Sequence, residues 1–405
     1  MAEAFPTVSG DHHLQEASVE ICATVPTGLE VIASEEIQQI FAPILSIKSF
    51  KIQQGKVFFN LPFTQVNKLK TIRSVENLYA IVAHLPAYCS TKEDTFAKFL
   101  TLPSELNWSS SLECWKTLYQ AENKIITPLS NEMRDNLGKH DSEILKFRMS
   151  CHRAGSKSQH PFGSPDIERL FGGACQDYFG WNVNLKHFDV EIFVWIFENQ
   201  NVMVGITLTK DSLAIRNIVK FGPTTLRPCI CYCLSRTVSI KLGEVVIDPM
   251  CGSGSIPIEA AIAWPNAFYL GADSFLQAPF NTAENIHYVN TNRAKGVIPV
   301  DSLVWDATCL PLRTSSVDVI LTDLPYGRRM GTKHHNWKLY PDLLSEFGRV
   351  CKPSTSRAAL LTQDSKCIVN VLKSNPFWKK SHVFWLNHGG LRSAIYVLIR
   401  TAFML

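Results

Sequence analysis

Short apolar runs that each lead to an aspartate recur through the second half of the chain. Val245–Ile247 precede Asp248, residues 268–273 (FYLGAD) end on Asp273, residues 302–307 (SLVWDA) carry Asp306, and residues 317–323 (VDVILTD) end on Asp323. Runs of this length, rich in Val, Ile and Leu, predict buried strands of a parallel sheet. The first leads into a glycine-bearing loop, Asp248 to Gly254, and then an apolar segment from Ile256 to Trp264 whose first turn tolerates Pro257, so a helix is expected there. Any one aspartate could be a helix cap or turn residue. Four at the carboxyl ends of successive strands point to one crevice, since that edge is where doubly wound sheets bind ligands.

The first half alternates differently. Residues 19–25 (VEICATV) predict a strand, and Thr27 or Gly28 can start a helix with Leu29, Ile32, Ala33, Ile37 and Ile40 on one face. Lys56 to Asn60 predict a strand, and residues 66–85 a helix and another strand. Residues 123–145 are polar and poorly periodic, which marks a linker. Beyond it come a strand entering a basic loop (residues 146–155), an amphipathic helix (165–181) and two strands (190–197 and 202–208). The expected divisions are 17–122, the linker 123–145, 146–210 and 216–405.

The 405 residues, 46% of them apolar, suffice for two or three packed domains. No run of eighteen apolar residues occurs, and the first residues lack a basic stretch followed by an apolar one, so no membrane span or secretory leader is expected. That places the chain in the cytoplasm, with the nucleus as a second compartment. Twelve cysteines are scattered without a C-x-x-C pair. Cys229, Cys231 and Cys233 alternate within an expected helix, where i and i+2 positions do not face each other, so no metal is expected.

The glycine loop lets backbone approach a ligand at Gly252 and Gly254 and offers the free N–H groups of a new helix. Its spacing departs from G-x-G-x-x-G, and no G-x-x-x-x-G-K-[ST] occurs, which disfavours dinucleotides and nucleoside triphosphates. Asp273, about twenty residues on, stands where a Rossmann-like site holds ribose hydroxyls. Asp323, Leu324, Pro325 and Tyr326 combine a carboxylate, a turn carbonyl and a ring, a pocket for a planar molecule bearing an amine. Between Gly327 and Arg357 seven Lys or Arg face only Asp342 and Glu346, a rim suited to a phosphate-bearing substrate. Residues 141–220 balance nine basic against nine acidic residues, and the net charge is only +4, so tight binding of a polyanion needs two docking sites.

DPMCGSG, GAD, WDA and DLPYG together resemble class I S-adenosylmethionine-dependent methyltransferases of the amino-methylating (Asp/Asn)-Pro-Pro-(Tyr/Phe) group. With FGPTTLRP (221–228), NWKLYP (336–341), LTQDSK (361–366) and GGLRSAIYVL (389–398), the chain resembles the THUMP-containing RNA guanosine N2-methyltransferases, eukaryotic branch, from Val19 onward. Leu324 departs from the usual proline. The resemblance implies an α/β fold: a C-terminal Rossmann-like methyltransferase sheet with N-terminal ferredoxin-like and THUMP α+β modules. It implies S-adenosyl-L-methionine held by Asp248, Met250, Cys251, Gly252, Gly254, Asp273, Asp306 and Ala307, with Thr225 and Arg227 at the mouth, and methyl transfer at Asp323, Leu324, Pro325 and Tyr326. It further implies tRNA as substrate, methylated at guanosine 6 or 7 of the acceptor stem, its 3′ CCA end docked by the THUMP module, and a small zinc-binding activator subunit as partner. Arg148, Arg153, Lys157, Lys186, Arg328, Arg329 and Lys333 are the candidate RNA cations, with Phe162 or Trp181 against a base. A spliceosomal small nuclear RNA is the alternative substrate; a DNA adenine or protein glutamine methyltransferase would share the amine pocket but leave the first half unexplained.

Overall fold

A computed structural model describes residues 17–46, 49–89, 91–135, 142–155, 160–293, 296–326, 333–388 and 390–404. The first half runs β1 (Ser18–Thr24), α1 (Glu30–Phe41), β2 (Lys51–Gln53), β3 (Lys56–Pro62), β4 (Asn77–Leu85), α2 (Lys92–Glu105), α3 (Ser109–Tyr119), α4 (Asn131–Asp135), β5 (Lys146–Arg153), α5 (Ser164–Phe179), β6 (Asn182–Val183), β7 (Val190–Ile196) and β8 (Val202–Thr207). These eight strands form one sheet in the order β2-β3-β1-β4-β8-β7-β5-β6. The second half runs α6 (Pro228–Arg236), β9 (Val245–Asp248), α7 (Ser255–Ala263), β10 (Phe268–Asp273), α8 (Gln277–Asn292), β11 (Val300–Val304), β12 (Val319–Asp323), α9 (Lys333–Val350), β13 (Arg357–Thr362), α10 (Ser365–Ser374), β14 (Trp378–His388) and β15 (Leu391–Arg400).

Two compact units result. One holds the described residues up to Ile21 with Phe59–Lys70 and Tyr79–Leu208; the other holds Cys22–Phe58, Thr71–Leu78 and Thr209 onward. In the first unit β5 pairs parallel with β7, which pairs antiparallel with β8. Trp181 stacks on Phe179 at 4.0 Å and Phe162 lies against Phe96 at 6.1 Å, both wholly or nearly buried. Phe162 is therefore not free to stack on a base, and Trp181 is a core residue; apolar burial of so large a surface outweighs exposure for contact.

In the second unit the sheet order is β11-β10-β9-β12-β13-β15-β14. β9 to β13 are parallel, and β15 runs antiparallel to β13 and β14. The chain moves outward from β9 through β10 to β11, then returns to the other side of β9 with β12, which makes β9/β12 the point where the winding reverses. The carboxyl ends of β9 and β12 therefore flank the crevice expected of such a sheet. Beneath it pack Ile247, Ile320, Tyr340, Leu344, Phe347 and Leu360, all essentially inaccessible, each worth about 1.5–3 kcal/mol as buried surface.

Local departures from the expected elements have simple causes. Helix α1 begins at Glu30, not at Thr27 or Gly28, because the Glu30 carboxylate accepts the N–H groups of Gly28 at 2.8 Å and Gly55 at 2.7 Å. Strand β11 covers Val300–Val304, which leaves Asp306 two residues beyond it. On α7, Glu259 is buried but bonded by Arg73, Arg216 and Asn217. Burial alone would raise its pKa; the two guanidinium groups prevail and hold it below the ordinary range.

Candidate active site

The loop after β9 is shaped by its two glycines. Gly254 has φ +80°, and a Cβ there would stand 2.5 Å from the Thr282 methyl, so only glycine fits. Gly252 has φ +55°, yet a Cβ on it would meet nothing within 4 Å, so its backbone faces open space that a ligand can occupy. The Gly252 N–H donates to Asp273 Oδ2 at 3.1 Å and the Phe275 N–H to Oδ1 at 3.0 Å, which aims the Asp273 carboxylate at the loop. Each of these oxygens keeps acceptor capacity for a hydroxyl.

Helix α8 supports the loop from behind. The Thr282 hydroxyl donates to the Gly252 carbonyl at 3.0 Å. Asn285, fully buried, accepts the N–H groups of Val219 and Lys220 at 2.9 and 2.8 Å and donates to the carbonyls of Lys220 and Ser253, both at 2.9 Å. One side chain thus ties the 219–225 segment to the glycine loop, and Thr225 Oγ1 lies 2.9 Å from Ser253 Oγ. None of Ser253, Thr282 or Asn285 stood out in the sequence. Their signal is two polar residues, Thr282 and Asn285, on the face of α8 otherwise made by Ala278 and Val289.

Asp248 accepts the Met250 N–H at 3.2 Å through one oxygen, and its other oxygen is buried without a partner among the described residues. Burial, reinforced by the neighbouring Asp273 and Asp323 charges, pushes its pKa up to about 8 against the opposing pull of the nearby Thr322 hydroxyl and the Met250 N–H. Asp323 is raised to about 7 by burial, against the opposing hydrogen bond from the Tyr326 hydroxyl. Cys251 is buried, and burial pushes its thiol well above the usual value, so it is no nucleophile. Asp306 is different. It is exposed, its Oδ1 accepts the Thr308 N–H at 2.8 Å and the Thr308 hydroxyl at 2.7 Å, and these bonds hold its pKa below the ordinary range. Ala307 beside it is buried.

Arg227 is ion-paired with Glu76, and both line a cavity of about 370 Å³ with Phe221, Ile218 and Thr225. In the first unit Arg148 bonds Glu191 at 2.9 Å and covers the Phe188 ring at 4.1 Å, Arg153 donates to the His160 carbonyl at 3.2 Å, and Lys186 is exposed. Lys157, Arg328 and Arg329 lie outside the described residues, as does the side chain of Lys333 at the start of α9.

A switch-point crevice with a glycine cradle, an acidic residue ending the second strand and a half-buried Asp-Leu-Pro-Tyr turn ending the fourth defines a class I methyltransferase. A family model for the RMKL-like methyltransferase domain matches residues 216–394, and a THUMP domain model matches residues 123–206. The chain is 36% identical over 464 residues to tRNA (guanine(6)-N(2))-methyltransferase THUMP3 of Bos taurus, covering 97% of this chain and 90% of the relative. It is 26% identical over 421 residues to the U6 snRNA (guanine-N(2))-methyltransferase THUMPD2 of Homo sapiens, covering 86% and 79%. The fold matches the crystal structure of TrmN from Thermus thermophilus with a TM-score of 0.70 and 24% identity over 94% of this chain and 99% of that one. The chain belongs to the eukaryotic branch of the THUMP-domain-containing class I guanosine N2-methyltransferases.

Proposed function

We propose that this enzyme methylates the exocyclic N2 of a guanosine in the tRNA acceptor stem, at position 6 or its neighbour 7, with S-adenosyl-L-methionine as donor. The observation that carries the reading is the Asp323–Tyr326 turn at the carboxyl end of β12, its carboxylate half-buried and near enough to Asp248, which opens the glycine loop, for their charges to interact. The residues fit the cofactor. Asp273 can accept ribose hydroxyls, the open face of Gly252 can take the methionine part, and the orphaned Asp248 oxygen can accept its ammonium group. Bound there, the cofactor supplies an electrophilic sulfonium methyl.

The chain's own residues then have distinct tasks. Asp323 and the Leu324 carbonyl accept the two N–H bonds of the guanine amine and orient its lone pair along the line of transfer. As the N–C bond forms and the S–C bond breaks, the Asp323 carboxylate stabilises the positive charge developing on nitrogen and accepts the proton that leaves it. Tyr326 lies against the face of the base. Residues 146–210 hold the 3′ CCA end, and the separation of the two docking sites selects the acceptor-stem guanosine.

The activator subunit belongs to the same reading. Strand β11 ends the sheet, and Val297 before it and Leu303 and Val304 within it are 78%, 41% and 52% exposed, an apolar edge that is unpaired among the described residues and to which a strand can be added. We place the enzyme in the cytoplasm on its substrate. The test combines purified chain, with and without activator, with labelled S-adenosylmethionine and total RNA, followed by nucleoside analysis and comparison of intact with CCA-trimmed tRNA. N2-methylguanosine in tRNA, lost on trimming, is expected. Label in small nuclear RNA, or equal labelling of trimmed tRNA, overturns the substrate assignment.

A further inference from the structure

Related amino-methylating enzymes stiffen the turn after the catalytic strand with two prolines; here the first is replaced by Leu324. The Leu324 amide donates to the Leu361 carbonyl at 2.9 Å, a bond no proline can make, and this carries the pairing of β12 with β13 one residue past the strand. The Leu324 side chain is 2% exposed and belongs to the central apolar cluster.

The next residue is held from the other side. The Tyr340 hydroxyl, on a fully buried ring of α9, lies 2.8 Å from the Pro325 carbonyl and 2.8 Å from Thr362 Oγ1. A phenol has one proton and the Pro325 carbonyl can only accept, so Tyr340 donates to Pro325 and Thr362 donates to Tyr340. Thr362 Oγ1 in turn accepts the Asp364 N–H at 2.9 Å. Asp364 caps α10 through the Cys367 N–H at 3.2 Å and is bonded by buried Asn336 at 3.1 Å. The donors therefore form a directed chain from the β13–α10 turn to the back of the catalytic turn. NWKLYP and LTQDSK, two segments without a site role so far, supply it.

We infer that Tyr340 and Thr362 are positioning residues for methyl transfer: their hydrogen-bonded clamp on Pro325, with the Leu324–Leu361 bond, sets the turn that a second proline sets elsewhere. The inference rests on the assignment of Asp323–Tyr326 as the amine pocket. The clamp touches neither substrate nor cofactor and acts by holding the Leu324 carbonyl and the Tyr326 ring in place on either side of Pro325. Burial raises the Tyr340 phenol above its usual range, so the donor stays protonated at every working pH.

The test is Tyr340→Phe, which keeps the buried ring, beside Thr362→Val and Thr362→Ser. Tyr340→Phe should lower kcat about tenfold while KM for RNA and Kd for S-adenosylmethionine stay within about twofold, because misplacement of the turn affects only the transition state. The acid limb of the kcat profile should move to higher pH, since a looser turn weakens the Tyr326 bond that holds Asp323 down. Thr362→Val should lower kcat in the same sense and Thr362→Ser should restore it. Should Tyr340→Phe not fold, the Thr362 pair decides alone: a loss in Val recovered in Ser supports the clamp, and equal turnover overturns it. Wild-type kcat in Tyr340→Phe with an inactive Asp323→Ala overturns the clamp and leaves the amine pocket standing. An active Asp323→Ala removes the pocket itself.

Discussion

Asp323 and Asp306 follow similar apolar runs, but one ends a central strand and the other lies past the edge strand. Asp323 is bordered by β9 and β13, is half-buried, and has its pKa raised to about 7. Asp306 is exposed, turned onto Thr308, and more acidic than a free carboxylate. Position in the sheet, not residue type, decides which carboxylate can take part in proton and charge chemistry. A buried acceptor acts in low dielectric, whereas an exposed one competes with water and contributes little.

Asp323→Ala should test the central position hardest, lowering kcat on the order of 10²–10³-fold while cofactor still binds. Single-turnover methylation beside calorimetry measures both; wild-type turnover in this variant would falsify the catalytic role. Asp273→Ala should weaken S-adenosylmethionine binding by roughly 1.5–3 kcal/mol, about 10- to 100-fold in Kd, because charge-assisted bonds to the ribose are lost. Asp306→Ala should change the same Kd by no more than about fivefold. A larger effect at Asp306 than at Asp273 would invert the comparison between the carboxylate held at the glycine loop and the exposed one.

The pH dependence sharpens it further. Asp323 can stabilise the developing positive charge and take up the departing proton only when ionised, so turnover should rise with pH through about 7. Stability should move the other way. Asp248 and Asp323 have folded pKa values above the ordinary carboxylate range, so they favour the folded state at low pH, and that contribution is lost progressively as pH rises from the ordinary carboxylate range up to about 7 and 8. Asp248→Asn should therefore raise the melting temperature of the ligand-free protein relative to wild type more at pH 9 than at pH 5. A pH-independent difference between the two proteins would show that Asp248 is not the titrating group.

The smallest effect belongs to the first unit. Arg148 already neutralises Glu191, so Arg148→Ala with Arg153→Ala should weaken tRNA binding only about 2- to 10-fold and reduce its salt slope by about one to two, with cofactor binding intact. Binding titrations at three ionic strengths measure this. An unchanged slope would move the RNA surface off β5.

Much of this protein was determined by the chain itself. Periodicity located β9, α7, β10, β12, α5, β7 and β8, because short apolar runs bounded by glycine or aspartate have few alternatives. Local spacing identified the glycine loop and the Asp-Leu-Pro-Tyr turn, because backbone approach and amine binding need those residue types in succession. Tertiary structure decided what pairs residues far apart in sequence. It put Asn285 between the 219–225 segment and the glycine loop, Tyr340 and Thr362 behind Pro325, and Glu259 under Arg73 and Arg216. It buried Phe162 and Trp181, and it left Asp306 exposed. Apolar pattern shows which residues seek the core, but exposure and charge state follow from which strand lies next to which, and that is settled only when the sheet closes around β9.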